Sequence, residues 1–249
     1  MKKINFSQIA RIFKGQKSDA NDILRLQEVF SGRKNDVDAL LSNTENFDEY
    51  QMRQLRKGLE AGVDVSVYAD PKFDYLQMEL IRTGLEDDLD VSAYADPKYN
   101  YDQMRAIRYG LETGVDVTIY ADPKYNYGQM SEIRDGLEAG VDTSIYADLK
   151  FGTDQMYQLR KGLEDGLDVS LYADPKYDWK QMLMIRKGLQ KSLDVSIYAN
   201  PQYDWEQMSE IRRGLEAGLD VSVYADPEFT LLQSRSCLKS SLHIHISYE

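Results

Sequence analysis

Phe73-Asp74-Tyr75-Leu76-Gln77-Met78-Glu79-Leu80-Ile81-Arg82-Thr83-Gly84-Leu85 carries two helix-start signals at once. Asp74 stands three residues before Gln77. At that spacing an acidic side chain takes an orphan helix amide, and the glutamine reaches back to the N–H of the cap. Phe73, ahead of the cap, and Met78, at the fourth helical position, are placed to close a hydrophobic staple. Met78, Ile81 and Leu85 follow at spacings of three and four, which predicts one apolar stripe on a helix of about three and a half turns.

The same signals return every 26 residues, with Gln-Met at Gln51, Gln77, Gln103, Gln129, Gln155, Gln181 and Gln207. The caps are Asp48, Asp74, Asn100, Asn126, Asp178 and Asp204, with the weaker Gly152 in the fifth unit. Gly62, Gly114, Gly140, Gly166 and Gly218 sit where a left-handed helix stop is wanted, while Asp88 and Ser192 replace that glycine in two units. A strict period of this length predicts an all-α, right-handed solenoid of short helix-turn-helix repeats, each burying its apolar face against its neighbours. Residues 1–46 read as degenerate N-terminal capping repeats, 47–232 as seven 26-residue repeats and 233–249 as a divergent C-terminal tail.

Two features leave the packing open. A second glycine column, Gly58 through Gly214, falls inside the helix, where glycine costs about 1 kcal/mol relative to alanine. Close approach of a neighbouring element would offset that cost, with the Ala69-type column as the expected small partner. The linker Val63-Asp64-Val65-Ser66-Val67-Tyr68-Ala69-Asp70-Pro71 reads either as a strand of period two or as a short helix capped by Asp64 and stopped at Asp70-Pro71. A strand would make a β/α horseshoe and would stack the Asp64-type column at about 4.8 Å. Packed helices lie about 8 to 10 Å apart, so like-charge repulsion favours a short α or 3-10 helix.

The repeated sentence, across residues 47–232, resembles that of uncharacterised tandem-repeat proteins encoded in gut Gram-positive bacteria. That resemblance implies no activity and carries no functional residues. In architecture the unit is also similar to the leucine-rich variant repeat, which pairs an α-helix with a short 3-10 helix; this is analogy of form alone.

Within the 249 residues the formal charge is −12, and single repeats range from 0 to −5. This argues against a nucleic-acid or anionic-membrane partner held by a broad basic field. A decoy of DNA is the alternative that acidity invites, but a duplex carries roughly six charges per ~10 Å layer against about two per repeat here. The N-terminus starts basic, yet polar residues interrupt any apolar run, and with the lone Cys237 this points to a cytoplasmic, reducing location. No phosphate loop, His-containing triad or metal-ligand cluster falls in the repeats, so the chain reads as a non-enzyme without cofactor or metal. His243 and His245 in the tail make only two ligands, short of a closed site. The Arg56-through-Arg212 column suggests an inter-repeat ladder of arginines and carboxylates.

Recurrence also exposes what is free to vary. On the long helix the non-repeating pairs, each four residues apart, are Arg53/Lys57, Glu79/Thr83, Arg105/Tyr109, Ser131/Asp135, Tyr157/Lys161, Leu183/Lys187 and Ser209/Arg213. With Met184 beside Leu183, they form a candidate face for a protein partner of unknown identity, on a scaffold with neither nucleic-acid nor membrane partner expected. The acidic decoy and an accessory module of an enzyme system are the competing readings. Past Gln233 the register is lost, which suggests a truncated array with an exposed apolar end around Val221, Val223 and Tyr224.

Overall fold

A computed structural model describes residues 46–229 together with Leu232, Gln233 and Ser236. Of the degenerate repeats expected in residues 1–46, residues 1–45 lie outside the described residues, as do the tail residues Cys237, His243 and His245. The described chain is all-α, and the same helix/3-10 pair recurs along it. The long helices are α1 (Glu49–Ala61), α2 (Tyr75–Glu86), α3 (Tyr101–Thr113), α4 (Tyr127–Glu138), α5 (Thr153–Glu164), α6 (Trp179–Gln190) and α7 (Trp205–Glu216). A 3-10 turn follows each of the first six: Val65–Val67, Val91–Ala93, Val117–Ile119, Thr143–Ile145, Val169–Leu171 and Val195–Ile197.

The linker is therefore helical, and the β/α horseshoe is ruled out: no strand occurs among the described residues. Asp64 accepts from the Ser66 amide at 2.9 Å, and Val65 O accepts from Tyr68 N at 3.1 Å and Ala69 N at 2.9 Å. Those local bonds use the amides that a strand ladder would need. The start signals also hold. Asp74 accepts from the amides of Leu76 and Gln77, and the Asp74 amide donates to Gln77 Oε1 at 2.7 Å. Gly152 offers no side-chain cap, and only the Gln155 half of the box forms there, at 2.8 Å.

Helix ends close in a Schellman pattern, with Val63 N donating to Gly58 O at 3.0 Å and Leu89 N to Gly84 O at 2.9 Å. The stop glycines have φ between 68° and 86°, and Asp88 and Ser192 adopt 56° and 55° in the same places.

The chain divides into two compact units, Met1–Tyr127 and Gly128–Glu249. In the first, α1 packs on α2 and α2 on α3; in the second, α5 packs on α6 and α6 on α7. Met78, Met104, Met130, Met156, Met182 and Met208 are fully buried, as are the Ile/Leu residues three positions on. Each such side chain contributes about 1.5 to 3 kcal/mol relative to an exposed one.

The helix-interior glycines do face a close neighbour, but it is not alanine. A Cβ at Gly110 would lie 1.9 Å from the hydroxyl of Tyr120 and 3.0 Å from a methyl of Val117. Tyr120 comes from the same repeat, folds back over its own helix, and donates to Ala106 O at 3.3 Å. Tyr68, Tyr94, Tyr146, Tyr172, Tyr198 and Tyr224 are likewise fully buried. The end expected to be an exposed apolar patch is largely buried: Val221 is 3% and Tyr224 0% exposed, both close to Gly214 of their own repeat, while Val223 is 57% exposed.

Candidate interaction face

The recurrent glutamine holds consecutive repeats together. Its Oε1 completes the capping box, while its Nε2 donates forward to the carbonyl two residues past the next proline position. Gln51 reaches Phe73 O at 2.6 Å and Gln77 reaches Tyr99 O at 2.7 Å in the first unit. Gln155 reaches Tyr177 O at 2.6 Å and Gln181 reaches Tyr203 O at 2.5 Å in the second. Buried tyrosines of the pre-cap position add a second forward bond, Tyr99 to Ala121 O and Tyr177 to Ala199 O, both at 2.7 Å.

The arginine column reaches backward, but only partly to carboxylates. Arg160 Nε donates to Glu132 at 2.8 Å and Arg108 Nη2 to Asp87 at 2.6 Å, whereas Arg82 uses the neutral amide of Gln54 at 3.2 Å and Arg186 uses both kinds, Gln158 at 3.1 Å and Asp165 at 3.4 Å. Burial pushes the Glu132 carboxyl up, and its bonds to Arg160 oppose that only in part. Burial also works against charge on Arg160, but its hydrogen bonds to Glu132 and Glu164 outweigh that and hold the guanidinium ionised. Tyr94 is pushed up to about 12 by burial, and the same cause raises Tyr146, Tyr172 and Tyr198. These groups are spent on holding the repeat together.

Half of the varying stripe is exposed. Arg53, Lys57, Arg105, Tyr109, Tyr157, Lys187 and Arg213 are exposed, while Glu79, Thr83, Ser131, Asp135, Lys161, Leu183 and Ser209 are half-buried. Met184 does not belong with them: it is 5% exposed, because its position faces the neighbouring repeat, as Gln54 and Gln158 do.

One column of this face escaped the sequence reading. The first residue of each helix lies four before the stripe and extends it by a turn. Tyr75, Tyr101, Tyr127, Trp179 and Trp205 occupy it, and Tyr75, Tyr127 and Trp179 are 40%, 39% and 40% exposed. Cations sit against these rings. In the first unit Arg105 lies 5.8 Å from the Tyr101 ring and 5.2 Å from that of Tyr127; in the second, Lys180 lies 5.6 Å from Trp179 and 4.9 Å from Trp205. The signal was an aromatic residue at a helix start in five of seven repeats, a place with no core to fill.

Among the described residues no group of three or more His, Cys, Asp or Glu could hold a metal ion, and no helix is long and apolar enough to cross a membrane. No family model matches the chain, and neither a curated protein nor a solved structure matches it significantly.

Proposed function

We propose that the chain is a non-enzymatic scaffold that binds a protein partner through the outward stripe of its long helices. One observation carries this reading. The invariant Gln, Gly and Tyr of the repeat are occupied in caps, close contacts and inter-repeat bonds, while the stripe varies in charge and size and half of its positions are exposed. A constant frame presenting a changing surface is how repeat arrays build specific contacts, and Trp, Tyr and Arg are the side chains that dominate such contacts. The carboxylates support this reading over an acidic decoy of DNA: Asp90, Asp116 and Asp220 are held below the usual carboxylate range by Ser or Thr hydroxyls and serve as caps or turns.

The test is a pull-down from the cells that make the protein, comparing the native chain with one in which Arg105, Tyr109, Tyr157 and Leu183 are replaced by serine. Loss of a specific partner with an unchanged circular-dichroism melt is the expected result. Equal recovery by both chains would sink the reading.

A further inference from the structure

Helix α6 differs in charge from every other long helix described. Trp179–Gln190 contains Lys180, Arg186 and Lys187 and no carboxylate, and Lys191 follows directly; each of the other six carries at least two acidic residues. This happens in a chain of net charge −12. The cations lie with apolar surface. Lys180 sits between the indoles of Trp179 and Trp205, and Leu183 and Lys187 continue the same stripe toward the helix end. The carboxylates that border this patch are partly engaged. Asp178 caps α6 through the amides of Lys180 and Gln181, Glu216 holds Arg212 and lies 3.2 Å from Lys191, and Glu206 follows Trp205 at one edge.

Resting on the stripe reading above, we propose that Trp179, Lys180, Leu183, Lys187 and Trp205 form a docking site for a short acidic peptide segment that also carries aliphatic side chains. Charge complementarity decides the class of partner. Carboxylates answer Lys180 and Lys187, and aliphatic groups answer Leu183 and the indole faces, which supply large contact area at low conformational cost. A nucleic acid fits less well, because a strand long enough to release several counterions would run its phosphates over the carboxylate-bearing helices on either side. A short peptide presents few charges and can stay within the patch.

The chain reports on this site without a label, because Trp179 and Trp205 are its only two tryptophans. A synthetic Glu/Leu peptide titrated into the full chain should change the indole emission saturably, with affinity that falls as salt rises. Lys180→Glu combined with Lys187→Glu should weaken binding about tenfold or more, whereas Lys72→Glu, in an exposed turn of the first unit, should leave it unchanged. If the double variant fails to fold by circular dichroism, the Lys→Gln pair and the salt titration of the native chain provide the same comparison. Unaltered emission, equal binding of a neutral Gln/Leu peptide, or tighter binding of a single-stranded DNA oligonucleotide would each overturn the proposal. The two readings fail separately: a partner lost by the serine variant but kept by the Lys→Glu pair would leave the stripe reading standing and overturn only this site, whereas equal recovery by the serine variant would sink the stripe reading itself.

Discussion

The contacts of α6 with α5 and with α7 share one backbone frame and differ in their side chains, most plainly at the acceptor offered to the buried arginine. On the α5 side Gln158 accepts from Arg186 Nε at 3.1 Å. On the α7 side the equivalent residue is Met184, and the buried Nε of Arg212 finds no hydrogen-bond partner among the described residues. The glutamine latches are unaffected, with Gln155 and Gln181 making the same forward bonds at 2.6 and 2.5 Å. Register thus rests on side chains that bond the backbone, which every repeat offers in the same place. Contacts between side chains vary on top of it.

If that division is correct, attacking the frame should damage both sides of α6 alike. Alkaline pH does so most severely. The buried hydroxyls of Tyr172 and Tyr198 are raised above their ordinary value of 10.0 by burial, and Tyr94 reaches about 12. A folded-state value above the unfolded one means that these tyrosines favour folding fully below pH ~10. The advantage is lost as pH rises from there through the folded value, at about 1.4 kcal/mol per pH unit for each tyrosine. A single cooperative loss of helix above pH ~10, coincident with tyrosinate absorbance near the ultraviolet edge, is expected. Ionisation of the full tyrosine complement with helix retained would refute it.

Gly188→Ala is the next step down. Alanine improves helix propensity by about 1 kcal/mol, but its Cβ would lie 1.9 Å from the Tyr198 hydroxyl and 2.8 Å from a methyl of Val195. Displacing a fully buried tyrosine should cost about 1 to 3 kcal/mol, so the net effect on the thermal midpoint is destabilising. A midpoint at or above that of the native chain would show that Tyr198 can move without loss.

Met184→Gln then probes the difference itself. The glutamine carbonyl would give Arg212 Nε the acceptor that Arg186 already has, for a gain of about 1 kcal/mol. The reverse change, Gln158→Met, should cost a similar amount by leaving Arg186 Nε unpaired. If both variants shift stability in the same direction, position-specific packing outweighs the arginine contact and the comparison fails.

Much of this arrangement was legible in the sequence, since cap, staple, apolar stripe and stop are set by residues within one turn of each other. Asp74 with Gln77 and the stop glycines could be read without knowing any neighbour. The covering of Gly110 by Tyr120 could not, because a period does not say whether a column packs on its own repeat or the next. Alanine was the natural small partner, yet the space belongs to a hydroxyl that shares a helix carbonyl. Met184 was misplaced for a related reason. It neighbours Leu183 in sequence, but a step of about 100° around the helix carries it from solvent to the repeat interface. On the face itself, variability marked the stripe but not the helix-start column, where an aromatic recurs in five of the seven repeats.

The smallest expected effect tests the helix ends flanking this comparison. α5 stops at Gly166 with φ 68°, whereas the stop after α6 is Ser192, held at φ 55° in the left-handed region. A residue with a Cβ pays roughly 1 to 2 kcal/mol there, partly offset because glycine loses more freedom on folding. Ser192→Gly should therefore stabilise by a few tenths to about 1 kcal/mol, and Asp88→Gly should do the same in the first unit. Gly166→Ser is the mirror experiment and should destabilise by a similar amount. The backbone at the stop is the same in all three, with the residue after it donating to the carbonyl of the interior glycine: Leu193 N to Gly188 O at 3.0 Å, Leu167 N to Gly162 O and Leu89 N to Gly84 O at 2.9 Å. Chemical denaturation with an unchanged m-value would locate the effect in the stop rather than in the compactness of either state. If Ser192→Gly instead destabilised the chain, the serine would have to be making a contact that outweighs its strained backbone, and the two ends of the α6 comparison would not be equivalent.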